Sequence, residues 1–141
     1  MKENILLVDD DPAVRRMLFR VLEDEKYHVT PAASGAEALE LATLSPPDLT
    51  LLDINLPSTS GWEIFEKLTN DYPSMPIIVI TARPNQLFPA LASGVGALME
   101  KPLDLPKLLW TIRHFLEESP QIRRNRAAGK PAEFHYLPPS R

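Results

Sequence analysis

Three short, unbroken apolar runs constrain this chain more than any other feature: ILLV at 5–8, LTLL at 49–52 and IIVI at 77–80. A strand with one wet face alternates apolar and polar residues. Runs without alternation therefore predict strands covered on both faces, as in a parallel sheet held between helix layers. The intervening stretches are amphipathic. Val14, Met17, Leu18, Val21 and Leu22 recur at helical spacing, and Leu105, Leu108, Leu109, Ile112, Phe115 and Leu116 repeat the stripe near the end. Helix starts are marked as well. Asp11-Pro12 sets a capping acid before a proline suited to the first turn, and Ser34 and Ser60 each stand three residues before a glutamate, Glu37 and Glu63. Asp104 can cap the last helix, whose first turn tolerates Pro106. Weaker strands fit 27–32 and 97–99, and a short helix fits 86–93, ended by Gly94.

These elements alternate as five βα units, which predicts a doubly wound α/β sandwich. Its sheet is expected to hold five parallel strands in the flavodoxin-like order 2-1-3-4-5. A chain of 141 residues suits one such domain. The fold is expected over 1–118, because residues 119–141 lack apolar periodicity and hold four of the 15 prolines. That segment reads as a flexible tail. It is also the one basic stretch. Five cations (Arg123, Arg124, Arg126, Lys130, Arg141) against Glu133 set it at +4, so a total of −4 places the body at −8. An acidic body argues against nucleic acid as partner, since phosphate binding needs clustered Lys and Arg. The basic tail is more simply solvated than a nucleic-acid arm. No apolar run nears membrane length, no signal-peptide pattern opens the chain, and there is no cysteine for disulfides or thiolate metal sites. The expected compartment is the cytoplasm, with no membrane contact.

In an open parallel sheet, ligands bind beyond the carboxyl ends of the strands. Asp9, Asp10 and Asp11 follow the first strand, Asp53 ends the third, Thr81 the fourth, and Lys101 follows the fifth. Each has an ordinary reading alone: a solvated turn, a loop start, a helix cap, a surface lysine. Together they predict a pocket of carboxylates, a hydroxyl and an ammonium. Clustered carboxylates need a cation nearby to stay ionised. Oxygen donors without His or Cys favour Mg²⁺, which keeps waters and takes a phosphate oxygen. A carboxylate can attack phosphorus to form an aspartyl phosphate, and a lysine can hold a phosphoryl oxygen. His28 and His114 have no sequence neighbours at metal-binding spacing and His135 lies in the tail, so no function is assigned to them.

The strings ILLVDDDPAVRRML, PDLTLLDINLPSTSGWEIF, IIVITA and EKPLD resemble the receiver domains of two-component response regulators, from about residue 4 to residue 118. The resemblance implies that Asp53 is the phosphoacceptor, with Asp10 and the Asn55 backbone carbonyl joining it as direct Mg²⁺ ligands. Asp9 would meet the ion mainly through water. Thr81 would be the switch hydroxyl and Lys101 the phosphate-pairing lysine, followed by a cis bond to Pro102. It further implies a phosphohistidine donor on a histidine kinase or phosphotransfer protein, and a downstream protein as target. Such a chain is a switch that catalyses its own phosphorylation and dephosphorylation, not an enzyme turning over an external substrate.

Two features depart from the family pattern. Leu98 stands three residues before Lys101, where the family usually carries Tyr or Phe, and the Thr81–Lys101 interval is shorter than usual. Arg83, two residues past Thr81, is expected to lengthen phosphate lifetime. The expected output is that of a single-domain regulator: a direct switch, with relay or phosphate sink as alternatives and a homodimer left open. A remote alternative is a Mg²⁺ phosphohydrolase with an aspartyl-phosphate intermediate. That chemistry wants a second acid two residues after the nucleophile, and Asn55 is there instead.

Overall fold

A computed structural model describes residues 2–83, 85–86, 89–90, 95–130 and 133–140. The three apolar runs become β1 (Asn4–Val8), β3 (Leu49–Asp53) and β4 (Ile77–Thr81), every residue buried. The weaker candidates form β2 (His28–Ala32) and β5 (Ala97–Glu100). The helices are α1 (Pro12–Asp24), α2 (Gly35–Leu44), α3 (Gly61–Asp71), α4 (Leu105–Leu116) and α5 (Pro120–Ala127). A last strand, β6 (His135–Leu137), follows. Most of the helix expected at 86–93 lies outside the described residues. Within it, the Ala90 amide donates to the Gln86 carbonyl at 3.0 Å, as a helical turn would.

All strands run parallel, in the order β2-β1-β3-β4-β5-β6. Among the described residues the sheet therefore has six strands, one more than the five expected, and the extra one comes from the segment read as a flexible tail. Ser119 caps α5 through the Ile122 amide at 3.2 Å, with Pro120 in its first turn, the same device as Asp11-Pro12. Arg126 forks onto Glu118 at 2.8 and 2.6 Å and reaches the Ser74 carbonyl at 3.1 Å, fixing α5 against the body. The chain then returns beside β5, pairing His135 with Ala97 and Met99 with Leu137. Three residues are too few to show a period, and their pairing exists only because β5 leaves an edge for them.

The pleat sends successive strand residues to opposite faces. Leu6, Val8, Leu52 and Val79 pack with Ala38 and Ala42 of α2 and Ile64 and Leu68 of α3. Ile5, Leu7, Leu51 and Ile80 pack on the other side with Leu18 and Leu22 of α1 and Ile112 and Phe115 of α4. Residues buried on both faces explain why these strands read as unbroken apolar runs.

The caps behave largely as expected. Asp11 accepts from Ala13 and Val14, and Asp104 from Lys107. Ser34 accepts from Glu37, whose carboxylate returns to the Ala33 amide. At Ser60 the hydroxyl takes the nearer Trp62 amide at 3.3 Å instead of the Glu63 amide. The next residue is spatially demanding: a Cβ on Gly61 would sit 2.1 Å from the Ile54 Cα. Only glycine lets α3 begin this close to the loop after Asp53.

Candidate functional site

The carboxyl ends of β1, β3, β4 and β5 lie side by side, so the residues at those ends and just past them converge. Asp9 follows β1 and is fully buried. Its amide donates to the Ala32 carbonyl at 3.1 Å, and Arg15 on α1 donates to its carbonyl oxygen at 2.8 Å. Held so, its Oδ1 accepts the Asp11 amide at 2.9 Å and its Oδ2 faces Lys101. Asp53, the last residue of β3, is 3% exposed, and its Oδ1 accepts the Asn55 amide at 2.8 Å. Lys101 Nζ stands between the two acids, 3.1 Å from Asp9 Oδ2 and 3.2 Å from Asp53 Oδ2. The Lys101 amide donates to the Thr81 carbonyl at 2.8 Å and the Lys101–Pro102 bond is cis, as the resemblance implied.

Asp10 is exposed beside this pair. One carboxylate oxygen from each of Asp9, Asp10 and Asp53 lies within 4.8 Å of the others. Burial raises the Asp9 carboxyl above its ordinary value against the pull of the Asp11 amide and Lys101, and the Asp53 charge raises it further. Burial alone would lower the Lys101 ammonium, but attraction to Asp53 and Asp9 outweighs it and holds the group above its usual value. A pocket in which two buried carboxylates share one ammonium is suited to a further cation. The donor set is all oxygen, which fits Mg²⁺ and not a thiophilic metal.

Thr81 is also fully buried, but its hydroxyl is not turned to the acids. It donates to Asn55 Oδ1 at 2.8 Å and accepts the Arg83 amide at 3.0 Å. The Ala82 amide adds a second donor to the same Asn55 oxygen at 3.2 Å. Sequence reasoning singled out the Asn55 carbonyl and missed its side chain, which ties the β3 loop to the β4 loop. It also missed Arg15 as the brace of Asp9. The Arg83 side chain is exposed, with only its backbone engaged in this network. Among the described residues no buried side-chain polar atom lacks a partner. Nor is any helix among them long and apolar enough to cross a membrane.

Comparison with known proteins bears on the family. The family model for the response regulator receiver domain matches residues 5–113. The response regulator MprA of Mycobacterium leprae is 38% identical over 117 residues, covering 82% of this chain and 51% of that protein. The transcriptional regulatory protein GlrR of Escherichia coli is 34% identical over 118 residues, covering 82% of this chain and 27% of that protein. The chain thus spans about half the length of MprA. Among solved structures, a CheY-like receiver domain protein from Methanospirillum hungatei superposes with a TM-score of 0.79 at 33% identity, over 83% of this chain and 95% of that one.

Proposed function

The chain belongs to the response regulator receiver domain family, and we propose that it is a phosphorylation-operated switch in which Asp53 accepts a phosphoryl group from a phosphohistidine. The observation carrying this reading is the placement of Lys101 Nζ at 3.1 and 3.2 Å from the two buried carboxylates. Asp9, Asp10, Asp53 and the Asn55 carbonyl would hold Mg²⁺, which when bound supplies positive charge to the transferring group.

The chain's own residues do the rest. An Asp53 carboxylate oxygen attacks phosphorus while the phosphorus–nitrogen bond of the donor histidine breaks, its electron pair staying on the imidazole. Lys101 already neutralises Asp53 Oδ2. As negative charge arrives on the phosphoryl oxygens, the ammonium can pair with one of them without moving far. The Thr81 hydroxyl, which now donates to Asn55 Oδ1, is the movable part. To donate to the product phosphate the hydroxyl must leave Asn55 Oδ1, which weakens the link between the β3 and β4 loops to the Ala82 amide alone. A local change at the phosphate becomes a change in surface, and a downstream protein of unidentified kind would read it. Asn55 offers an amide two residues after Asp53, with no carboxyl to move a proton for hydrolysis, which supports a switch over a phosphohydrolase.

The test is intact-protein mass after incubation with acetyl phosphate, for wild type and Asp53→Asn, with and without Mg²⁺. Wild type should gain one phosphoryl group only with Mg²⁺, and the variant should gain none. Phosphorylation of Asp53→Asn to the wild-type extent would remove Asp53 from the role. Rapid return of the group to a histidine protein would mark a relay, and tighter target binding a direct switch.

A further inference from the structure

A second converging set of side chains lies at the opposite end of the sheet, where β6 begins and α4 ends. Glu133 Oε2 is 2.8 Å from His114 Nε2 and 2.8 Å from His135 Nε2. The three ligand atoms all fall within 4.8 Å of one another. His114 comes from the last turn of α4. His135 opens β6 and Glu133 stands two residues before it, with the two side chains in contact.

The imidazoles are held by aromatic neighbours. Trp110, one helical turn before His114, stacks on it at 5.0 Å with planes 10° apart. The Phe115 ring meets the His135 ring edge-on at 5.5 Å, and the two imidazoles are 5.1 Å apart at 69°. Two nitrogens and one carboxylate oxygen are thus presented together from two separate elements. The set remains partly open to solvent, the His114, Glu133 and His135 side chains being 35, 48 and 25% exposed.

We propose that His114, Glu133 and His135 bind a zinc-class divalent cation that clasps β6 to α4. Two imidazoles and a carboxylate are a ligand set of Zn²⁺ chemistry, and the open side leaves a fourth position for water. Nitrogen donors separate this site from the all-oxygen pocket of Asp9, Asp10 and Asp53, which suits Mg²⁺. Because the ligands come from both sides of the junction, the ion would stabilise the docking of the sixth strand. The same residues could instead serve only as a hydrogen-bonded clamp, two imidazoles sharing one carboxylate, and metal titration separates the two.

The experiment is calorimetric titration of the metal-stripped full chain with Zn²⁺ in excess Mg²⁺, for wild type, Asp53→Asn, His114→Gln and His135→Gln. Hydrogen exchange of the His135 amide, which donates to the Gly96 carbonyl, is followed in parallel. Wild type and Asp53→Asn should bind one equivalent, with slower exchange at His135. Each histidine variant should bind at least about tenfold more weakly. The glutamines keep polar character at exposed positions, and Co²⁺ titration of wild type gives a readout independent of any variant's folding, through visible bands of low-symmetry nitrogen–oxygen ligation. Absence of Zn²⁺ uptake by wild type would overturn the proposal and leave the clamp. Uptake unchanged in both histidine variants, or lost in Asp53→Asn, would also overturn it.

Discussion

The acidic pocket and the histidine cluster each set three ligating groups within 4.8 Å, yet they are built in opposite ways. In the pocket, Asp9 and Asp53 are buried at the ends of neighbouring strands and are braced by backbone amides and Lys101. In the cluster, Glu133 is about half exposed and its two partners come from a helix end and a three-residue strand. Buried charges without partners are costly, so removing the ammonium that Asp9 and Asp53 share disturbs the fold. Exposed groups can be solvated by water instead, so removing a member of the second costs little. The difference teaches where charge is structural and where it is only available.

Lys101→Met is the sharpest way to break that contrast. It leaves Asp9 and Asp53 facing each other without their ammonium. Stability in metal-free urea unfolding should fall by about 3 kcal/mol, and added Mg²⁺ should stabilise this variant more than wild type. Equal Mg²⁺ effects on both proteins would mean that Lys101 does not offset the carboxylate charge.

Arg126→Ala comes next. It strands the nearly buried Glu118 carboxylate and drops the tie to Ser74, for an expected loss of about 2 kcal/mol. Hydrogen exchange at His135 should accelerate, because α5 sets the path of the chain back to β6. Unchanged exchange there would show that β6 holds on without α5.

Glu133→Gln, in metal-free protein, should change stability by less than about 1 kcal/mol. A loss as large as that of Lys101→Met would mean that the cluster is as structural as the pocket. Arg83→Ala should not shift the unfolding midpoint, since its side chain is exposed. The remaining reading of Arg83 is kinetic: the variant should hydrolyse phospho-Asp53 faster in a mass-resolved decay, and an unchanged lifetime would dismiss it.

How much of this was legible beforehand follows from the range of the forces involved. The unbroken runs at 5–8, 49–52 and 77–80 are local signals of strands buried on both faces, and each appears as such. Asp11-Pro12, Ser34 and Asp104 are local capping signals that act within one turn. The pocket was legible because its members sit at strand ends or one step past them, and parallel strands bring their ends together. Asn55 illustrates the limit. Its position was readable, but the side-chain bond to Thr81 depends on how the β3 and β4 loops approach, which no local pattern encodes. Ser119-Pro120 was the same signal as Asp11-Pro12 and went unread, because no apolar stripe followed it.

By itself, then, the sequence determined the parallel core, the helix starts and the residues at the strand ends, since hydrophobic period and capping act over a few neighbouring positions. Only the tertiary structure decided that β6 joins β5, that Gly61 must meet Ile54, and that His114 meets Glu133 and His135. β6 lies far along the chain from β5, and Glu133 and His135 from His114, while Gly61 meets Ile54 across a short loop whose path no local pattern fixes. Their contact is selected by the edge and surface that the folded body leaves open, a property no stretch of sequence carries alone.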